Sequence, residues 1–128
     1  MTNTAIIGLG SNIDPQKNIP AARKLLAREF RVLKESAFIR TKPIGYSEQD
    51  DFINGSVYLE TSLERAELKQ KLKEFEGKLG REVSTIKYGP RSIDLDIIVY
   101  NGKVVDKDFY ERDFLKRAAL ELIPELEY

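Results

Sequence analysis

Asp94-Leu95-Asp96 places two carboxylates two residues apart inside an apolar run from Ile93 to Tyr100. In an extended strand such residues point to one face, about 7 Å apart along the chain. Ile93, Leu95 and Ile97 then face the opposite way, toward a core, and Val99 continues their alternation. Adjacent carboxylates turned into a core are very costly unless paired or bound to metal. On an open face they repel each other and attract a divalent cation, although the same pattern also describes a solvated surface pair. Just upstream lie Arg81, Lys87 and Arg91. Guanidinium groups suit phosphate oxygens, and carboxylates that hold metal beside arginines that hold phosphate are the components of phosphoryl transfer from a Mg²⁺–nucleotide. The simpler use of Arg91 is to neutralise Asp94 or Asp96 across the loop.

In the run from Phe52 to Thr61, Phe52, Asn54 and Ser56 share one face and Ile53, Val57 and Leu59 the other. If the Ile53 set packs inward, Phe52 and Asn54 project beside the acidic pair. An aromatic next to an amide suits a flat heterocycle that stacks and hydrogen-bonds at its edge; a Phe in a strand equally suits a core. Gly8-Leu9-Gly10 opens like a dinucleotide-binding fingerprint, but position 13 is Ile rather than Gly, and no Walker A sequence is present.

Composition narrows the chemistry further. The 128 residues contain no Cys and no His. That removes thiol nucleophiles, disulfides, imidazole bases and nearly all zinc sites, and leaves oxygen-ligated cations such as Mg²⁺. Basic and acidic residues balance at 21 each, against the basic surplus of a protein that lives on nucleic-acid phosphates. No apolar stretch approaches the roughly 18 residues of a membrane span, and the opening MTNTAIIGLGSN shows no basic region followed by a long apolar run. A cytoplasmic protein with one domain over residues 1–128 is expected, either monomeric or oligomeric.

The elements that must position these groups follow from periodicity. Thr4 to Leu9 reads as a strand, followed by a helix with Ile19, Ala22 and Leu26 on one stripe that starts at Asp14-Pro15 or near Asn18. Phe30 to Arg40 reads as a second strand and Phe52 to Thr61 as a third. Thr61 with Glu64 suggests a capping box for a helix carrying Leu68, Leu72, Phe75 and Leu79, ended by Gly80. On its exposed face Glu67 with Lys71 and Glu74 with Lys78 form i,i+4 pairs. The acidic strand, a short strand at Lys103 to Val105 and a helix from about Glu111 complete the chain. This β-α-β-β-α-β order predicts an α+β, ferredoxin-like sandwich, an antiparallel sheet with helices on one face.

These residues resemble a known family. GLGSN at 8–12, SAFIRTKPIG at 36–45, DFINGSVYLETSL at 51–63, the GR at 80–81, YGPRSIDLDIIVY at 88–100 and, more faintly, ERDFLKRAALELIPEL at 111–126 are similar to 6-hydroxymethyl-7,8-dihydropterin pyrophosphokinases of the folate pathway. The resemblance covers most of the chain in order. It implies transfer of diphosphate from ATP to the pterin hydroxymethyl group, with release of AMP. It also implies two Mg²⁺ ions on Asp94 and Asp96, and Arg81 and Arg91 closing over the phosphates. Phe52 and Phe114 would sandwich the pterin, with Asn54 and the backbone of Thr41, Pro43 and Ile44 at its polar edge. Glu76, Ile97 and Arg112 would fall on the ATP side. The partners so implied are ATP and a reduced pterin, with neither nucleic acid nor membrane.

The chain departs from the family in four places. The segment after the acidic strand is short, with only Asp106 to Tyr110 between Val105 and Glu111, and lacks a Pro-His motif. Tyr88 stands for a loop Trp, Val83 for a basic residue, and Lys42 for a frequent Pro. These departures weaken the nucleotide side and leave the metal and pterin groups in place. They keep open a second reading, a non-catalytic homologue that binds pterin or nucleotide without turnover. An RNA-binding sheet of the same topology fits poorly, since its open face would carry Asp94 and Asp96.

Overall fold

A computed structural model of the chain describes residues 2–45, 48–80 and 90–128. Strand β1 (Asn3–Ser11) leads to helix α1 (Pro15–Glu29), then β2 (Arg31–Glu35), β3 (Ile39–Thr41) and β4 (Phe52–Thr61). Helix α2 (Arg65–Lys78) precedes β5 (Asp94–Tyr100) and β6 (Lys103–Val104), and the chain ends in α3 (Asp108–Glu111) and α4 (Asp113–Leu122). The sheet runs β2-β4-β1-β5-β6, with β3 also pairing with β4, and these pairings are antiparallel. The expected α+β ferredoxin-like arrangement is therefore present, with β1 at the centre between β4 and β5.

The two sheet faces bury different things. Ala5, Ile7 and Leu9 of β1, with Val57, Leu59 and Leu95, pack against Ile19, Ala22, Leu25 and Leu26 of α1 and Leu68, Leu72 and Phe75 of α2. On the other face Ile6, Ile98 and Val99 pack with Phe109, Ala119, Leu122 and Leu126 from the C-terminal segment. The βαββαβ unit thus keeps its two helices on one face, while α3 and α4 cover part of the second. The uncovered part carries the acidic residues.

Local departures from the sequence expectation have identifiable causes. Helix α1 begins at Pro15 rather than near Asn18, because the Asp14 carbonyl accepts the N–H groups of both Lys17 and Asn18 at 2.9 Å. The stretch from Phe30 to Arg40 is two strands, not one. The ladder breaks at Ser36, whose hydroxyl accepts the Ser56 N–H at 2.8 Å, and Phe38 folds over Gly55, where a Cβ would lie 2.4 Å from its ring.

The capping box of α2 uses Glu64 and Glu67 instead of Thr61 and Glu64. Thr61 stays in β4 and its hydroxyl accepts the Leu63 N–H at 3.0 Å. Glu67 is committed to the Glu64 N–H at 3.0 Å, and Lys71 lies 3.8 Å from Glu74 and 3.9 Å from Glu29. The expected stop at Gly80 holds, with φ +82°. Asn101 and Gly102, both with positive φ, make the tight β5–β6 turn.

A bulge alters β5. Ile6 pairs with Val99 but Ile7 with Ile97, leaving Ile98 as the extra residue. Ile98 and Val99 both join the second face, against the alternation that assigns Val99 to the first. Tyr100 turns back to the first face, and its hydroxyl donates to the Leu63 carbonyl at 2.8 Å. Burial, then the Glu64 and Glu67 carboxylates, push this phenol above its ordinary value. Among the described residues no helix is long and apolar enough to cross a membrane.

Arg23 of α1 grips Glu35 at the end of β2 through two hydrogen bonds of 2.6 and 2.9 Å. These bonds hold the Glu35 carboxyl below its ordinary value of 4.5. A depressed folded-state value stabilises the fold above the ordinary value, and the contribution is lost as pH falls through the folded one. Both side chains are partly exposed, so Glu35→Gln is expected to cost about 0.5 kcal/mol at pH 7. The difference from the unsubstituted protein, read by urea denaturation, should shrink progressively below pH 4.5.

Candidate active site

The uncovered part of the second sheet face forms the floor of a cavity of about 290 Å³. Register decides what the floor is made of. Gly8 pairs with Asp96, and Gly10 pairs with Asp94 on one side and Asn54 on the other. Space is tight over both glycines and tightest over Gly10. A Cβ on Gly10 would lie 2.7 Å from the Asn54 amide oxygen, and one on Gly8 would press on Ile98 at 3.2 Å.

One end of the cavity is aromatic, with Lys42 beside it. Phe52 and Asn54 reach it from β4, Thr41 and Ile44 from the end of β3 and the loop beyond, and Phe114 from the start of α4. The Asn54 amide donates to the Thr41 hydroxyl, which fixes the amide at the cavity wall. The remaining amide oxygen faces the gap over Gly10.

The other end is charged. Asp94 and Asp96 line it on the same face of β5, as their spacing requires, with Asp96 exposed. Arg91 lies 3.8 Å from Asp94, and Arg112 lies 3.7 Å from Asp108. Asp106 and Asp108 form the wall contributed by the shortened connection; the Asp106 carboxylate accepts the Asp108 N–H at 2.9 Å and starts α3. Carboxylates and guanidinium groups therefore share a pocket with two aromatic rings.

The structure thus brings Thr41, Ile44, Phe52, Asn54 and Phe114 together with Arg91, Asp94, Asp96 and Arg112. Pro43 is not part of the lining, although its neighbours Lys42 and Ile44 are. Glu76 and Ile97 lie elsewhere: Ile97 packs into the first-face core, and the Glu76 carboxylate, only 9% exposed, accepts the Leu95 N–H at 2.8 Å. Arg81, Lys87, Val83 and Tyr88 fall outside the described residues.

Several contributors escaped the sequence reading. Asp106 and Asp108 sit in a connection that shows no periodicity, so nothing in the sequence aimed them at the site. Asn12 was visible in the GLGSN motif but had no assigned role. It is 5% exposed and bonds to both Arg91 and the segment at 49–50.

Comparison with known proteins identifies the family. The family model described as 7,8-dihydro-6-hydroxymethylpterin-pyrophosphokinase (HPPK) matches residues 6–124. The 2-amino-4-hydroxy-6-hydroxymethyldihydropteridine pyrophosphokinase of Bacillus subtilis is 34% identical, over 99% of this chain and 82% of that protein. The protein of the same name from Haemophilus influenzae is 30% identical, over 96% of this chain and 83% of its own. The folic acid synthesis protein FOL1 of Dictyostelium discoideum is 33% identical over 95% of this chain, which spans only 20% of that longer protein. With nearly its whole length matched and its glycines, carboxylates and aromatic residues converging on one cavity, the chain belongs to the 7,8-dihydro-6-hydroxymethylpterin-pyrophosphokinase family.

Proposed function

We propose that this protein transfers the terminal diphosphate of ATP to the hydroxymethyl group of 6-hydroxymethyl-7,8-dihydropterin and releases AMP. The family is one of ATP-dependent diphosphotransferases that serve folate synthesis. The observation that carries the reading is the division of one cavity into an aromatic, amide-lined end and an end of paired carboxylates beside guanidinium groups. The first end suits a flat, polar-edged heterocycle, and the second suits a triphosphate.

The donor set fits a hard cation. Asp94 and Asp96 offer carboxylate oxygens on one face of a rigid strand. Among the described residues no group of three acidic side chains is placed to hold an ion, so a cation on Asp94 and Asp96 would need further oxygens from phosphate and water, as Mg²⁺ commonly does. Two Mg²⁺ ions shared by Asp94 and Asp96 would supply charge neutralisation of the triphosphate.

The chain's own residues supply positioning. Phe52 and Phe114 hold the pterin ring, while Asn54, fixed by Thr41, reads its edge. Ile44 completes that end beside Thr41. Arg91 and Arg112 bind phosphate oxygens, and the family resemblance gives Arg81 the same task. Glu76 bears on the ATP side by holding β5 from behind, and Ile97 by anchoring that strand in the first-face core. The hydroxymethyl oxygen then attacks the β-phosphorus in line. The bond from that phosphorus to the oxygen of the α-phosphate breaks, AMP leaves, and the hydroxyl proton passes to solvent. Alignment and charge compensation carry the rate, so the absence of His is compatible with the chemistry.

The test is AMP release from Mg²⁺-ATP with and without the pterin. Pterin-dependent AMP is expected; pterin binding without AMP would instead select the non-catalytic reading. Asp94→Ala and Asp96→Ala are each expected to lower turnover by about 100-fold or more while leaving thermal unfolding nearly unchanged. Full activity in Asp96→Ala would remove the carboxylate pair from the mechanism. Replacing Phe52 or Phe114 by Ala should weaken pterin binding about three- to tenfold, the worth of one aromatic contact, as read by calorimetric titration. Gly10→Ala should do the same by displacing the Asn54 amide.

A further inference from the structure

The cations that line the cavity are not equivalent. Arg91 lies 3.8 Å from Asp94 and Arg112 lies 3.7 Å from Asp108, so each guanidinium already stands beside a carboxylate. Lys42 lines the same cavity at its aromatic end, and among the described residues no carboxylate pairs with it. Its root is fixed while its side chain is free to swing. Thr41 ends the β3–β4 ladder opposite Phe52 and its hydroxyl accepts the Asn54 amide, so the chain enters Lys42 from the cavity wall. Lys42 itself is exposed, and its four-carbon stem is flexible. In a cavity of about 290 Å³ the ammonium can reach a ligand seated between Phe52 and Phe114.

Charge moves toward this cation during the reaction. The pterin alcohol is neutral and its diphosphate ester is strongly anionic. The diphosphate starts on the nucleotide at the charged end and finishes on the hydroxymethyl oxygen at the aromatic end. A cation on the acceptor side therefore attracts little before transfer and most after it. Interactions that strengthen on the way to the transition state are the ones that raise the rate. We propose that Lys42 is a further catalytic residue, whose ammonium binds the diphosphate as it passes to the pterin. Lys42 keeps its proton throughout. The hydroxyl proton goes to solvent, the new bond joins the hydroxymethyl oxygen to the β-phosphorus, and AMP takes the electron pair of the bond that breaks. The inference rests on the assignment of the two ends to a pterin and to ATP.

The experiment compares Lys42→Met, which keeps the stem and loses the charge, with Lys42→Arg, which keeps the charge. Calorimetry with Mg²⁺ present reads the dissociation constants of 6-hydroxymethyl-7,8-dihydropterin and of its diphosphate ester. Rapid quenching reads the AMP formed in a single turnover at saturating ATP and pterin. In Lys42→Met the ester is expected to bind about tenfold more weakly and AMP to form about tenfold more slowly, the worth of one bond to a charged group. The alcohol should bind within about twofold of the unsubstituted protein, because it carries no charge for the ammonium to meet. Lys42→Arg should regain most of both losses, and about 0.5 M KCl should narrow the gap between Lys42→Met and the unsubstituted protein. Equal weakening of alcohol and ester would make Lys42 part of the wall and overturn the proposal. So would a transfer rate that is unchanged in Lys42→Met, whatever the ester does, in a protein that still forms pterin-dependent AMP. An unsubstituted protein that binds no pterin and forms no AMP fails the functional reading first, and the assignment of Lys42 with it.

Discussion

The pairing of Gly8 and Gly10 with Asp96 and Asp94 is the constraint on which the site depends. A sheet face lined by ordinary side chains would fill its own concavity. Here the central strand supplies no side chain at two alternate positions, and on Gly10 a Cβ would stand 2.7 Å from the Asn54 amide oxygen. The acidic strand and the amide-bearing strand can therefore both present groups across the gap. The requirement is steric rather than conformational, since neither glycine has positive φ.

The same strand solves two problems on its two faces. Ala5, Ile7 and Leu9 anchor the helical layer, so β1 is rigid where the site needs precision. Ile6 begins a second core with Ile98, Val99 and Phe109, which seats the C-terminal helices and brings Phe114 over the opening. The bulge in β5 matters here. By turning both Ile98 and Val99 to the second face, it widens the apolar footing of α3 and α4 without moving Asp94 or Asp96. Packing energy and site geometry are thus kept on separate stretches of β5.

Much of this was legible because strands enforce a period of two. Asp94 with Asp96, and Phe52 with Asn54, were assigned to one face from spacing alone, and they line one cavity. The βαββαβ order followed from clear apolar stripes and from Gly80. What escaped has physical reasons. A bulge breaks the period without marking the sequence, so Val99 was placed on the wrong face. The capping box shifted because Glu64 can accept a backbone N–H as Thr61 can, and the longer β4 claimed Thr61. Ser36 interrupts the β2–β3 edge by substituting a hydroxyl for a carbonyl, which no propensity scale registers. Asp106 and Asp108 are set by the tertiary path of a short connection, which periodicity cannot reach.

Glu76 shows how a residue outside the cavity can still govern it. Strand β6 pairs with β5 at Val99 and Tyr100, and among the described residues no strand pairs with the outer edge of β5 around Leu95. A buried N–H there needs an acceptor, and the Glu76 carboxylate provides it from the last turns of α2 at 2.8 Å. The peptide between Asp94 and Asp96 is then held from both edges, by β1 on one side and by a charged acceptor on the other, and bonds to charged groups are the stronger kind. The spacing of the two carboxylates becomes a property of the packed core. A neutral glutamine would keep the shape but weaken the bond, and an alanine would leave the N–H unpaired, so the precision of the acidic pair is set partly from behind the sheet.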